Sequence, residues 1–177
     1  MQDILDKAAK IKLLVFDVDG VLTDGSLIIG DAGEEYKAFY SKDGLGMKML
    51  QNTGVKIAVI TARTSHVVLH RMQSLGIKHI YQGQEKKLPA FEALLKELGL
   101  SAEQAAYVGD DVIDVPVMLH AGLAITVNDA HPVAKQHAHW QTPQPGGRGA
   151  ARDVCELIML AQGTLEAQFN RFINGDG

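Results

Sequence analysis

The chain has 177 residues, enough for one domain at roughly 100–200 residues per domain, and its 46% hydrophobic and 21% charged composition suits a soluble packed core that folds without a disulfide or structural metal. Seventeen Lys and Arg against 21 Asp and Glu leave a formal charge of −4, which offers no general attraction to nucleic acid or anionic lipid. The single cysteine, Cys155, cannot close an internal disulfide and lies in an apolar helical run, the setting of a buried structural thiol.

The N-terminal segment MQDILDKAAKIK mixes acids with bases and has no apolar signal-type core, and no later stretch approaches about 18 uninterrupted apolar residues. Neither export nor membrane spanning is expected, and the lone cysteine fits a reducing compartment. Residues 12–16 (KLLVF) read as a strand buried on both faces that stops at Asp17-Val18-Asp19-Gly20. Residues 26–30 and 35–41 read as two strands of a hairpin around Asp31-Ala32-Gly33-Glu34, a candidate flap. A helix is expected over 45–52, a strand over 55–61, a helix over 65–75 stopped by Gly76, and a strand over 77–81. Leu88, Phe91, Leu94, Leu95 and Leu98 give residues 86–98 a helical stripe, followed by a strand at 105–108 that ends in Gly109-Asp110-Asp111. Helix 112–121, strand 123–127 and helix 132–137 come next. After Pro143–Gly149, a flexible or turn-rich stretch, an appended helix is expected at about 150–161. Residues 164–173 are amphipathic, and Gly175-Asp176-Gly177 are expected to fray. The alternation of strand and helix periods predicts an α/β domain, a parallel sheet flanked by helices, over 1–163, with a C-terminal tail over 164–177.

In open α/β sheets ligands bind beyond the carboxyl ends of the strands. There the sequence sets Asp17 and Asp19, Thr61, and Asp110, Asp111 and Asp114, with Lys87 opening the helix after the third strand of the alternation. Five carboxylates in one place repel one another unless a cation relieves them. An all-oxygen donor set without cysteine suits Mg²⁺, which binds through one or two carboxylates together with substrate phosphate. In that chemistry Asp17 attacks phosphorus and forms an aspartyl-phosphate, Asp19 protonates the leaving oxygen and later takes a proton from water, and Thr61 and Lys87 donate to the phosphoryl oxygens. One Asp-x-Asp after a strand is commonly turn chemistry; the ordered set of four such signals, each at a strand end, is not.

That set resembles the four motifs of the haloacid dehalogenase (HAD) superfamily of phosphatases: Phe16–Val21, Ile60-Thr61, Lys87 and Gly109–Asp114. Phe16–Gly25, Lys42-Asp43-Gly44, Thr61-Ala62-Arg63, Tyr81-Gln82-Gly83, Tyr107–Asp111, Asn128–Pro132 and Gly146–Ala150 are similar to the 3-deoxy-D-manno-octulosonate 8-phosphate (KDO 8-phosphate) phosphatases, over roughly residues 11–163. The resemblance implies a Rossmann-like HAD fold and a Mg²⁺-dependent phosphomonoesterase. It also implies a cytoplasmic, homotetrameric enzyme of the pathway to lipopolysaccharide. By position it implies Asp17 as nucleophile and metal ligand, Asp19 as acid/base with its backbone carbonyl on the metal, Asp110 as the third protein ligand, and Thr61 and Lys87 on phosphate. Implied sugar-phosphate contacts fall on Asp19, on Tyr40, Ser41, Lys42, Asp43 and Gly44, and on Lys48, Arg63, Arg71 and Lys87. Lys42 and Lys48 stand where arginine is frequent, keeping the charge and losing the bidentate fork.

The interval from Asp19 to Thr61 is filled by hairpin, helix and strand, and that from Thr61 to Lys87 by helix and strand, so no separate cap domain is expected. The hairpin and the tail bearing Arg148 from an adjacent subunit are expected to cover the site instead. Other signals are weak. His66 and His70 lack a third zinc ligand, and His131, His137 and His139 read as surface or capping residues. The loop after Asp17 lacks the acid, glycine and glutamate of a calcium loop, and no GxGxxG lies between a strand and a helix. Trp140 reads as a packing residue. Three alternatives stay open. One is a HAD phosphatase of another sugar acid phosphate such as an acylneuraminate 9-phosphate. A second is a signalling receiver, disfavoured because the strand at 77–81 ends without a carboxylate. The third is an inactive assembly module, disfavoured because Asp17, Asp19 and Asp110 are all present.

Overall fold

The fold was analysed in a computed structural model, which describes residues 1–175; Asp176 and Gly177, two of the three residues expected to fray, lie outside the described residues. Strands β1 (Leu13–Phe16), β4 (Lys56–Ile60), β5 (His79–Tyr81), β6 (Ala105–Gly109), β7 (Leu123–Thr126) and β8 (Trp140–Gln141) form one parallel sheet in the order β5-β4-β1-β6-β7-β8. Strands β2 (Ile28–Ile29) and β3 (Glu35–Tyr36) pair antiparallel as a separate hairpin. Helices α1 (Gln2–Ala8), α2 (Ser41–Asn52) and α7 (Ala150–Ala161) pack together, while α4 (Lys87–Leu98), α5 (Val115–Met118) and α6 (Pro132–His137) form a second group. All four residues of β1 and all four of β7 are buried, as apolar runs covered on both faces must be.

The expected alternation is present, without a separate cap domain among the described residues, and its departures have local causes. Helix α2 starts at Ser41 rather than 45 and runs through Gly44 and Gly46, where a Cβ would come within 2.4 Å of Arg71 Nη2 and 2.6 Å of Arg152 Cδ. The glycines are therefore close-packing positions, not a break in the helix. The hairpin rungs are shorter than expected. Instead of one helix over 112–121 there is a 3₁₀ turn at Val112–Asp114 followed by α5, because Asp111 caps the turn by accepting from Val112 N at 2.7 Å. Helix α7 is not an appendage: Val154, Cys155, Ile158 and Met159 are buried in the core. The loop before it is not loose either, since Gly146 and Gly147 are buried against residues 20–24, and Gly147 N donates to Val21 O at 2.9 Å. Helix α1 and edge strand β8, which holds Trp140 against the core, were not anticipated. Helix α3 (His66–Ser74) follows β4, and α8 (Leu165–Ile173) lays Leu165 and Phe169 on the core. Cys155 is buried, and burial pushes its thiol far above the usual range. Among the described residues, no helix is long and apolar enough to cross a membrane.

Candidate active site

Parallel pairing of β1 with β4 and β6 brings three carboxyl ends side by side, so the residues just beyond them share one pocket. Asp17, Asp19, Thr61, Arg63, Asp110 and Asp111 line it. Asp17 N donates to Val108 O at 3.0 Å and Thr61 N to Tyr81 O at 2.9 Å, so each residue continues its strand's ladder by one rung. Gly20, at φ +89°, turns the chain where a Cβ would stand 2.0 Å from Asp110 Oδ2. Only glycine lets that loop pass Asp110.

Under the pocket lies a buried charge cluster. The Lys87 ammonium, at the start of α4, hydrogen-bonds Asp114 Oδ1 at 2.7 Å and sits 2.9 Å from Asp17 Oδ1. Burial lowers the pKa of that amine, but the two carboxylates outweigh it and hold it above the ordinary lysine value. Asp114 is saturated: Oδ1 also accepts from the Tyr107 phenol at 2.7 Å, and Oδ2 accepts from the backbone N–H of Asp110 and Asp111. Burial, then Asp114, pushes Asp17 up to about 6. Burial, then Asp17 and Asp114, pushes Asp110 up to about 8. Oxygen atoms of Asp17, Asp110 and Asp114 all lie within 4.8 Å of one another, and Asp17 Oδ1 is buried against the Lys87 ammonium. A raised pair of neighbouring carboxylates fits a hard divalent cation, and because Asp114 is already satisfied, Asp17 and Asp110 are the donors left to hold it. The histidines join no such cluster among the described residues.

Asp19 stands apart from this cluster. Its carboxylate meets Lys37 Nζ at 2.5 Å and Arg63 Nε at 3.8 Å, while Glu35 meets Lys37 at 3.3 Å and Arg63 at 3.1 Å. Lys37 and Glu35, from the hairpin, escaped the sequence reading, although one acid and one base two residues apart on an extended segment point to one face.

The remaining candidate residues lie elsewhere on the single chain. Ser41, Gly44, Lys48 and Arg71 line a second shallow depression. The Lys42 ammonium sits 5.9 Å from the Tyr40 ring centroid. Asp43 is buried and accepts from the backbone N–H of Gly149 and Arg152, so its carboxylate caps α7. Arg148 is exposed, 3.6 Å from Asp24.

Residues 74–152 match the family described as haloacid dehalogenase-like hydrolases. The chain is 49% identical to the 3-deoxy-D-manno-octulosonate 8-phosphate phosphatase KdsC of Yersinia pestis, over 93% of this chain and 88% of that protein. A crystal structure of the Moraxella catarrhalis phosphatase of the same name, in complex with a magnesium ion, a phosphate ion and a KDO molecule, superposes with a TM-score of 0.96 at 43% identity, covering 97% of this chain and 99% of that one. A cobalt-bound Haemophilus influenzae deoxy-D-mannose-octulosonate 8-phosphate phosphatase gives 0.89 at 38% identity, over 93% and 99%. With carboxylates, threonine and buried lysine meeting at the strand ends as its motifs lead one to expect, the chain belongs to the haloacid dehalogenase-like hydrolases, in the family of the 3-deoxy-D-manno-octulosonate 8-phosphate phosphatases.

Proposed function

We propose that the protein hydrolyses KDO 8-phosphate to KDO and phosphate through an aspartyl-phosphate on Asp17, with Mg²⁺ held by Asp17, Asp110 and the Asp19 backbone carbonyl. The observation that carries this is the Asp17 carboxylate itself: it is buried at the end of the β1 ladder, with the Lys87 ammonium 2.9 Å from one oxygen and Asp110 beside it. Mg²⁺, when bound, neutralises the acidic pair and draws charge from the phosphoryl oxygens. One Asp17 oxygen attacks phosphorus as the ester P–O bond breaks, and the leaving oxygen takes a proton from the Asp19 carboxyl. Water then attacks the phosphoaspartate, gives a proton to Asp19, and releases phosphate with Asp17 restored. Thr61 and Lys87 hold phosphoryl oxygens where negative charge accumulates.

The sugar acid is assigned to Arg63 at the pocket rim and, across a subunit boundary, to the depression of Ser41, Gly44, Lys48 and Arg71 with Tyr40, Lys42 and the Asp43 backbone. Separation of that depression from the pocket within one chain supports a homotetramer in which neighbours complete the site. Half-exposed Leu27, Ile28, Ile29 and Tyr36 on the hairpin supply the apolar contact such an assembly needs, and exposed Arg148 is assigned to a neighbour's site. The setting is the cytoplasm, and the product serves lipopolysaccharide assembly.

The test is phosphate release with Mg²⁺ from KDO 8-phosphate, an acylneuraminate 9-phosphate, hexose phosphates and an aryl phosphate, with Asp17→Asn and EDTA as controls. Preference for KDO 8-phosphate, abolished by both controls, is expected. Preference for the acylneuraminate ester overturns the substrate, and activity surviving Asp17→Asn overturns the nucleophile.

A further inference from the structure

The four charges above the pocket close a ring of alternating sign. Lys37 contacts Asp19 and Glu35, and Arg63 contacts Glu35 and Asp19, at 2.5, 3.3, 3.1 and 3.8 Å. The ring joins the hairpin to the residues after β1 and after β4, two strands with which the hairpin makes no ladder. Its members differ in burial: the Lys37 side chain is 1% exposed, Asp19 20% and Arg63 46%. The Lys37 ammonium is therefore desolvated and held by two carboxylates, while Arg63 faces the solvent side where a substrate arrives.

The placement bears on Asp19. Three carboxylates already crowd the floor beneath it, and their repulsion alone does not fix where a fourth should point. The 2.5 Å contact pins Asp19 Oδ1 to a buried cation on the flap, outside the acidic cluster. Arg63 on Oδ2 is long and half-exposed, so it does not fix the carboxylate by itself. We propose that Lys37 is a positioning residue for catalysis: by its ion pair it fixes the Asp19 carboxylate in the attitude from which it exchanges a proton with the leaving oxygen and the attacking water, and it couples that attitude to closure of the hairpin. The inference rests on the reading of Asp19 as the acid/base. In the first step the proton moves from the Asp19 carboxyl to the ester oxygen as the P–O bond breaks, and in the second it returns from water as the P–OH bond forms. Lys37 keeps its own protons throughout.

The test uses Lys37→Met, Lys37→Arg, Asp19→Asn and the Lys37→Met/Asp19→Asn double variant in the full-length, Mg²⁺-loaded enzyme, with thermal melts as a fold control and hydrogen exchange over residues 28–36 as a readout independent of turnover. Because a positioned acid/base contributes about 10²–10⁴-fold and misplacement forfeits part of that, Lys37→Met is expected to lower kcat by about 10- to 100-fold with KM changed less than about threefold. Lys37→Arg should recover a substantial part of kcat, and faster exchange over 28–36 should accompany the methionine variant. In the Asp19→Asn background, Lys37→Met should cost less than about threefold further, because its partner is already disabled. A loss that persists undiminished in that background makes Lys37 a hairpin anchor only, and a rise in KM with kcat intact makes it a substrate contact; either result overturns the proposal. If Asp19→Asn alone keeps its kcat, the acid/base reading fails first; if Asp19→Asn is crippled and Lys37→Met is not, the role given to Lys37 fails by itself.

Discussion

Replacing Lys87 with methionine keeps a linear side chain and deletes the positive charge between Asp17 and Asp114, which lie 2.9 and 2.7 Å from it and are at most 4% exposed. Two uncompensated carboxylates in that volume are relieved most cheaply by protonating one. The parent already holds that proton on Asp17 below about pH 6, so relative to the parent this costs about 1.4 kcal/mol for each pH unit above 6, or about 3 kcal/mol at pH 8. At pH 5 parent and variant both hold the proton, and this cost vanishes. Above about pH 6 the variant's native state keeps a proton that the parent's Asp17 has released, so its stability relative to the parent falls as pH rises above about 6. Urea denaturation in EDTA is expected to give a loss about 3 kcal/mol greater at pH 8 than at pH 5. A loss that is equal at the two pH values would refute the view that this ammonium neutralises the pair.

Other consequences are as direct. Asp17 and Asp110, raised from 3.8 to about 6 and about 8, hold protons in the folded state that the unfolded chain releases. The metal-free protein should therefore lose stability as pH rises from about 4 to 8, most steeply below 6 where both groups contribute, and Mg²⁺, which needs both groups ionised, should raise the melting midpoint more at pH 8 than at pH 5.5; a shift independent of pH would contradict the assignment. Asp43→Ala removes the acceptor of two buried N–H groups at the start of α7 and should cost about 1–3 kcal/mol in chemical denaturation. Gly20→Ala forces a side chain into Asp110 and should weaken Mg²⁺ at least about tenfold by calorimetry, as loss of an oriented ligand does.

The fold class and the floor of the site were legible in the sequence because each carrier residue sits at the end of an apolar run: Asp17 after β1, Thr61 after β4 and Asp110 after β6. Such placement is local, and strand periodicity exposes it. The ring above the floor was not legible. Lys37 meets Asp19, and Arg63 meets Glu35, through the approach of separate elements, which leaves no mark on neighbouring residues. The same holds for the Tyr107 phenol on Asp114, since a tyrosine in a buried strand looks like packing. Glycines misled where their cause was tertiary, as Gly44 and Gly46 yield room to Arg71 and Arg152 from inside a helix. Helix α7 shows its amphipathic stripe plainly, but a stripe does not say which partner it faces, so a core helix read as an appendage.

The placement of β1 in the middle of the sheet sets the order in which the molecule can become active. Leu13 pairs with Lys56 on one side and Ala105 on the other, so the centre of the sheet forms only after long loops have closed, and Asp17, Lys87 and the 107–114 segment that meet beneath the pocket come from three distant stretches of chain. Parallel sheets built on such distant contacts fold slowly, with the loop entropy spent before the pairing returns it. Catalytic competence is thus a report on the completed chain topology rather than on helix content: during refolding, circular dichroism should recover well ahead of phosphate release, with the docking of α4 carrying Lys87 among the last events before turnover begins.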